Sequence, residues 1–318
     1  MSLDMRAGHD GRRGPSGVER AVRWLVSAMS LPRSRPLWAA DIERLSELTA
    51  ALGSSFSELC AANLYLFRHA HAYGLSLGET PYLQGTTYDG LPHAAPLVPL
   101  DHEALLDLAR RTGRTLYPMP PKAGWTSTHN PDDSDYLFRA EDLASYAGAC
   151  RKAARNLRRR LRADIQPWDE PFTARHLPDA LAILDAWLAD VARPLANTDY
   201  AACREALALV EPLGLVGLVA YTPGGDPARF VLASALGDGS VAVQFAKGKR
   251  GYRGGGHLFS RFAEMFGDRF DRLNFEQDLG KPGFRQAKRS RGPSGLLHKH
   301  RLLPAACLNV RKEDRHRV

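Results

Sequence analysis

The chain has 318 residues, 44% apolar and 25% charged, a balance that excludes collagen-like, disordered and disulfide-stapled classes. No apolar stretch approaches the roughly 20 residues needed to cross a bilayer. Lysine and arginine number 43 against 35 acids, a formal charge of +8, and the length suggests about two domains.

Residues 1–17 are polar and rich in Gly and Arg, with no apolar core of the secretory kind beside them. They cannot bury enough apolar surface to offset chain entropy and are expected to be disordered. Residues 18–29 carry a short helical pattern that Pro32 and Pro36 break, so residues 1–37 read as a basic arm. A helix is predicted over residues 41–52, with Ile42, Leu45, Leu48 and Leu52 on one face. Residues 56–71 are aromatic and helical or mixed, and residues 82–99 have strand and turn features. A helix over 102–112 and a short strand over 116–119 follow, stopped by Pro120 and Pro121.

Residues 140–162 are predicted as one helix. Leu143, Tyr146, Ala147, Cys150, Ala154, Leu157 and Leu161 recur at three and four residues. Arg151, Arg155, Arg159 and Arg162 fall on a different face. Helices are expected over 178–192 and 200–210, then strands over 215–221, 229–236 and 241–245. Gly254, Gly255 and Gly256 open a helix through Phe266. A strand over 271–278, a short helix over 282–289 and an extended segment over 296–303 complete the chain. The order of this last part is α-α-β-β-β-α-β-α-β.

Cys60, Cys150, Cys203 and Cys307 are scattered without any Cys-x-x-Cys pair. They read as reduced thiols of a cytoplasmic protein. His69 with His71, and His298 with His300, show no evident third ligand, so no metal site is expected. Residues 144–163 hold seven basic side chains and no acid, and residues 279–310 hold seven more, again with no acid. Lys247, Lys249, Arg250 and Arg253 make a third cluster. Three such clusters point to a phosphate-rich partner, against the plainer reading of solvated arginine-rich faces.

The run from Leu273 to Lys288 resembles the catalytic domain of phosphatidylglycerol lysyltransferases, which carries an Asn-x-Glu-x-Asp-Leu-Gly-x-x-Gly-Leu-Arg-x-x-Lys pattern. Asp135-Tyr136-Leu137-Phe138 with Glu141-Asp142-Leu143 is similar to a second family stretch. Arg155-Asn156 falls in its Lys-Arg-Asn helix, and Phe56 with Asn63-Leu64-Tyr65 resembles its N-terminal signature. The likeness runs from about residue 40 to 303. It implies an α/β (α+β) fold of two tandem acetyltransferase-like (GNAT) domains, each a mixed, mostly antiparallel sheet flanked by helices. The expected domains are 38–165 and 166–304, with a tail over 305–318. It also implies an aminoacyltransferase that takes its amino acid from aminoacyl-tRNA as co-substrate, without a further cofactor. The acceptor would be a small molecule or a lipid.

Asn274, Glu276 and Asp278 alternate onto one face of the expected strand. A carboxylate there can hold an attacking amine or hydroxyl and accept its proton, or anchor an α-ammonium. Glu276 and Asp278 could instead pair with Arg285, Lys288 or Arg155 and fix the loop. Lys288 and Arg285 share one short helix, and a cation there could stabilise the ester oxyanion or touch phosphate. Glu276, Asp278 and Lys288 are thus expected in catalysis and Asn274, Arg285, Asp135 and Tyr136 in substrate binding. Arg151, Arg155, Asn156, Arg159, Arg162, Arg250 and Arg253 are assigned to tRNA. The glycine triplet sits where a GNAT domain cradles acyl-CoA pyrophosphate, but the usual motif is out of register. An acyl-CoA-dependent N-acyltransferase and a non-catalytic RNA- or partner-binding module are the alternatives.

Overall fold

The computed structural model describes residues 34–164, 168–191, 193–252 and 255–304. The first described element is strand β1 (Arg35–Pro36). Helix α1 (Ile42–Leu52) buries Ile42, Leu45 and Leu48, as their spacing predicts. It ends at Gly53, whose φ of 65° favours a residue without a Cβ. Helix α2 (Ala61–Leu66) is buried all round, which is why residues 56–71 show no clean face in the sequence. Strands β2 (Gly74–Ser76), β3 (Tyr82–Thr86) and β4 (Pro92–Pro96) follow. Helix α3 (His102–Thr112) has the bounds its capping residues dictate. The Asp101 carboxylate accepts from Ala104 N, and Gly113 closes the other end in the left-handed region. Strands β5 (Thr115–Met119), β6 (Trp125–His129) and β7 (Asp135–Arg139) come next.

The helix expected over residues 140–162 is two helices. Helix α4 (Ala140–Ser145) stops at Tyr146, which takes a φ of 50°. Helix α5 (Lys152–Asp164) begins after a separate turn. The apolar spacing runs through the break because Leu143, Tyr146 and Leu161 are all buried. The arginines explain the break. Arg155 donates to the Tyr146 carbonyl and, at 3.1 Å, to that of Gly148, while Arg158 donates to the Ala144 carbonyl at 2.5 Å. These carbonyls belong to the end of α4, where a helix leaves its acceptors unpartnered and favours positive charge.

The second half contains β8 (Trp168–Pro171), α6 (Leu177–Val191), α7 (Tyr200–Ala208), β9 (Val216–Tyr221), β10 (Pro227–Ala235) and β11 (Val241–Gly248). Then come α8 (Gly255–Phe266), β12 (Arg272–Asn274), α9 (Pro282–Arg289), β13 (Gly295–Leu297) and β14 (His300–Pro304). The extended segment expected over 296–303 is therefore two strands. They lie in different sheets.

The strands form two seven-stranded sheets, ordered β1-β2-β3-β4-β5-β14-β6 and β13-β7-β12-β11-β10-β9-β8. Among the described residues, only the β4–β5 and β11–β12 pairs are parallel. Each is bridged by a helix, α3 or α8, as a parallel connection requires. The succession β-β-β-α-β thus occurs twice, as β2 to β5 and as β9 to β12. This is the expected arrangement of two mixed, mostly antiparallel sheets flanked by helices.

Each sheet also takes a strand from the other half of the chain. Strand β7 pairs with β12 and β13, and β14 lies between β5 and β6. A cut at residue 165 therefore crosses both sheets. One buried cluster spans the halves, joining Ile42, Tyr65 and Leu66 to Ile183, Cys203, Phe230 and Phe245.

The chain crosses from β13 to β14 at Lys299, whose side chain is fully buried. Its Nζ lies 2.5 Å from Asp135 Oδ1 on β7, itself fully buried, and 2.7 Å from Glu58. Asp135→Ala would strand the ammonium without its nearest partner. It is expected to lower the unfolding free energy by about 3–5 kcal/mol, measured by urea titration. An unchanged midpoint would show that the crossover does not need this pair.

Candidate active site

Beyond Asn274 the main chain keeps pairing with β7 for two more residues. Phe275 N donates to Tyr136 O at 2.9 Å, and Tyr136 N donates to Glu276 O at 3.2 Å. Glu276 then takes a φ of 58° and Leu279 one of 56°, values that strain a residue with a Cβ. The expected strand over 271–278 is thus only Arg272–Asn274, and the expected alternation stops. Asn274 and Asp278 are buried, whereas Glu276 is half-buried. The turn is held by Asn274, whose Oδ1 accepts from Glu276 N at 2.7 Å. Its Nδ2 donates to Ser55 O at 3.1 Å and Asp135 Oδ2 at 2.8 Å.

The three carboxylates of this region have different fates. Asp135 accepts from Ser57 N and Ser57 Oγ, both at 3.0 Å, besides Asn274 and Lys299. Every lone pair is engaged, so Asp135 acts as scaffold. Asp278 Oδ2 accepts from Tyr136 Oη and Arg285 Nε, each at 2.8 Å, and its Oδ1 accepts from Gly280 N at 2.9 Å. Burial works against its charge, but the Arg285 and Tyr136 hydrogen bonds outweigh it and hold the carboxyl at about 2. So weak a base takes no proton at neutral pH. Arg285 also reaches Asp132, which ties the start of α9 to the loop before β7.

Glu276 differs. Its Oε1 accepts from Asn63 Nδ2 at 2.7 Å. Burial pushes its carboxyl up to about 7, against the lowering pull of that bond and of the Lys288 charge. Lys288 sits beside it on α9. Its Nζ donates to the carbonyls of Glu276 at 3.0 Å and Gln277 at 2.6 Å, which occupies two of three donors. Burial lowers the ammonium to about 8, although the Glu276 charge resists. An acid and a base that both titrate near neutrality are what proton transfer in a reaction requires.

Lys299 completes the floor. Its Nζ lies 3.0 Å from Gln277 Oε1. Burial disfavours its charge, but Asp135 and Glu58 outweigh that and raise its pKa. Sequence reasoning missed Lys299, Glu58, Ser57 and Asn63 as members of this network. Asn63 stands out in the sequence as part of the Asn63-Leu64-Tyr65 likeness and as an amide in an otherwise apolar stretch, but neither signal gives it a partner.

The basic residues divide. Arg151 is held by Asp142, at 2.9 Å, and by the Gly292 carbonyl, also at 2.9 Å. Arg155 is spent on the end of α4, so neither guanidinium faces outward as expected. Arg159 and Arg162 are exposed on α5 beside Lys152 and Arg160, with Asn156 half-buried between them. Arg250 is exposed in a separate cleft of about 550 Å³ that it shares with Asp190, Arg229, Lys249 and Tyr252. Arg253 lies outside the described residues. His298 and His300 do meet a third imidazole, His129, at ring distances of 4.6 and 5.4 Å. Their Nδ1 atoms contact Ser134 and Ser127, and no cluster among the described residues could hold a metal ion.

Residues 49–296 match the family described as phosphatidylglycerol lysyltransferase, C-terminal. The chain belongs to this family. Membership makes it an acyltransferase, of the kind that moves aminoacyl groups. The solved structure of a conserved Bacteroides thetaiotaomicron protein of unknown function is similar, with a TM-score of 0.72 and 20% identity over 86% of this chain and 99% of that one. L-PGS from Bacillus licheniformis aligns with a TM-score of 0.55 and 13% identity, over 86% of this chain and 93% of that one. FemX aligns with a TM-score of 0.56 and 8% identity, over 87% and 99%. These likenesses establish a shared fold. No curated protein matches the chain. No helix among the described residues is long and apolar enough to cross a membrane.

The Glu276 environment has a consequence for stability. An unfolded glutamate ionises near 4.5, the folded one near 7. Ionisation therefore favours the unfolded chain, and stability present below about 4.5 is lost as pH rises through about 7. Lys288 titrates in a separate, higher window. Urea unfolding from pH 4 to 7 is expected to show this decline in the wild type and a flatter profile in Glu276→Gln. Parallel profiles would mean that Glu276 ionises normally.

Proposed function

We propose that the protein transfers an amino acid from aminoacyl-tRNA to the amine or hydroxyl of a small molecule or lipid. The observation that carries this reading is the Glu276–Lys288 pair, two half-buried groups held near neutrality at the junction of the two sheets. In this reading the acceptor attacks the ester carbonyl carbon while Glu276 takes the proton from the nucleophile. The remaining Lys288 donor faces the oxyanion. Collapse of that intermediate breaks the ester bond, and the departing ribose oxygen takes a proton from Lys288, which recovers one from Glu276. Family membership supplies the aminoacyl chemistry, and a charged-tRNA donor fits a cytoplasmic location.

The other assigned residues act through these two. Asp278 and Arg285 fix the start of α9 and hence the reach of Lys288. Asn274 and Asp135 impose the backbone of Glu276, and Tyr136 buttresses Asp278. Arg159 and Arg162, with Lys152 and Arg160, offer exposed charge to donor phosphates, whereas Arg151 and Arg155 hold α5 in place.

Incubation with mixed charged tRNAs and a metabolite and lipid extract, following radiolabelled amino acid, tests the reading. Glu276→Gln and Lys288→Met are each expected to lower transfer by roughly 10²-fold or more, with circular dichroism unchanged. Full transfer in both variants would refute it, and turnover of an acyl-CoA instead would support the acetyltransferase alternative. The pH–rate profile should rise through about 7 and fall above about 8, limits that belong to the pair as a unit.

The same proteins separate the arginines. Arg159→Gln is expected to reduce the salt slope of tRNA affinity by about 1. Arg155→Ala should instead lower the melting temperature through the loss of its bonds to the end of α4.

A further inference from the structure

Phe284 is a large apolar ring left in solvent beside the candidate site. It is 47% accessible on α9, a helix that buries none of its residues fully. The surface around it is cationic: Lys281 and Arg289 are exposed, and Lys281 Nζ lies 5.3 Å from the Phe284 ring centroid. No acid occurs between residues 279 and 310.

Two relations give this surface a direction. Phe284 precedes Lys288 by four residues, so the ring and the reacting ammonium are one turn apart, their Cβ atoms roughly 5–6 Å from each other. At the other end of α9, the Gly292 carbonyl accepts from Arg151 Nη2 at 2.9 Å, and Arg151 directly precedes α5. The exposed cations of α5 extend along its 13 residues, about 20 Å. A cationic track therefore leads from α5 past Arg289 to Phe284 and ends at Lys288 and Glu276.

We infer that Phe284 is the stacking platform for a terminal base of the donor RNA's single-stranded 3′ end. The inference rests on the aminoacyl-tRNA reading above. A base on this ring brings its own ribose, which carries the ester, within reach of Lys288. Lys281 and Arg289 flank the adjoining phosphates. An anionic membrane also combines charge with apolar groups, but a headgroup layer does not account for an exposed ring one helical turn from the Lys288 ammonium, with cations running on from it to α5. A flexible strand with one π-face per nucleotide matches it.

The test uses fluorescence anisotropy with two uncharged acceptor-stem hairpins, one with a single-stranded 3′ ACCA end and one cut back to a blunt end. Phe284→Ala is expected to weaken binding of the first by roughly tenfold and to leave the second unchanged, while Phe284→Trp retains both affinities. Equal loss on both hairpins, or no loss on either, would overturn the inference and leave the donor reading standing. The same holds if Phe284→Ala keeps RNA binding but abolishes binding to phosphatidylglycerol vesicles. If the wild type binds neither hairpin, the donor reading fails and the inference with it.

Discussion

A single ammonium organises this molecule. Lys299 sits where the chain leaves one sheet for the other and is sealed from solvent. Its partners come from separate elements: Asp135 from β7, Glu58 from the turn before α2, and Gln277 from the loop after β12. A buried charge is tolerated only when paired and hydrogen-bonded, so these three segments must converge for the chain to fold. The same convergence sets the floor beneath Glu276. Fold and site are thus linked through one set of polar contacts.

Around that floor, the carboxylates are sorted by what they accept. Asp278 is saturated by a guanidinium, a phenol and a backbone amide, and it stays ionised. Glu276 has one side-chain donor, from Asn63, in a place where desolvation dominates. Two acids two residues apart therefore differ by about five units, and only the second can exchange protons near neutrality. The left-handed backbone at Glu276 separates them, since it turns one side chain toward the half-open surface while the other stays inside. Strain at that residue is sustained by the Asn274 side chain, which accepts from its amide.

Much of the architecture is legible in the sequence where local signals are self-sufficient. The Asp101 and Gly113 caps bracket α3, and Pro282 opens α9. Near-continuous apolar runs mark β9 to β11. What the sequence conceals depends on contacts made far along the chain. The stop at Tyr146 follows from arginines nine and twelve residues later that satisfy its helix end. Strand β7 is not assigned from the sequence, since its first residue, Asp135, is a buried acid whose ion-pair partner lies 164 residues away. The site shows the same division. Glu276, Asp278, Lys288 and Arg285 share one short segment and were found together, but their unequal roles come from Asn63, Tyr136 and Lys299. Counting arginines could not tell solvent-facing cations from those that seal carbonyls.

The placement of β14 has a bearing on how the protein is made. This strand, completed at residue 304, fills the slot between β5 and β6. Synthesis proceeds from the other end, so the first sheet waits with two unpaired edges while the rest of the polypeptide emerges from the ribosome. Open strand edges invite pairing with foreign chains. The nascent protein is therefore exposed to aggregation until β14 is released, and a truncation before it would leave the first sheet, far away in sequence, unfinished.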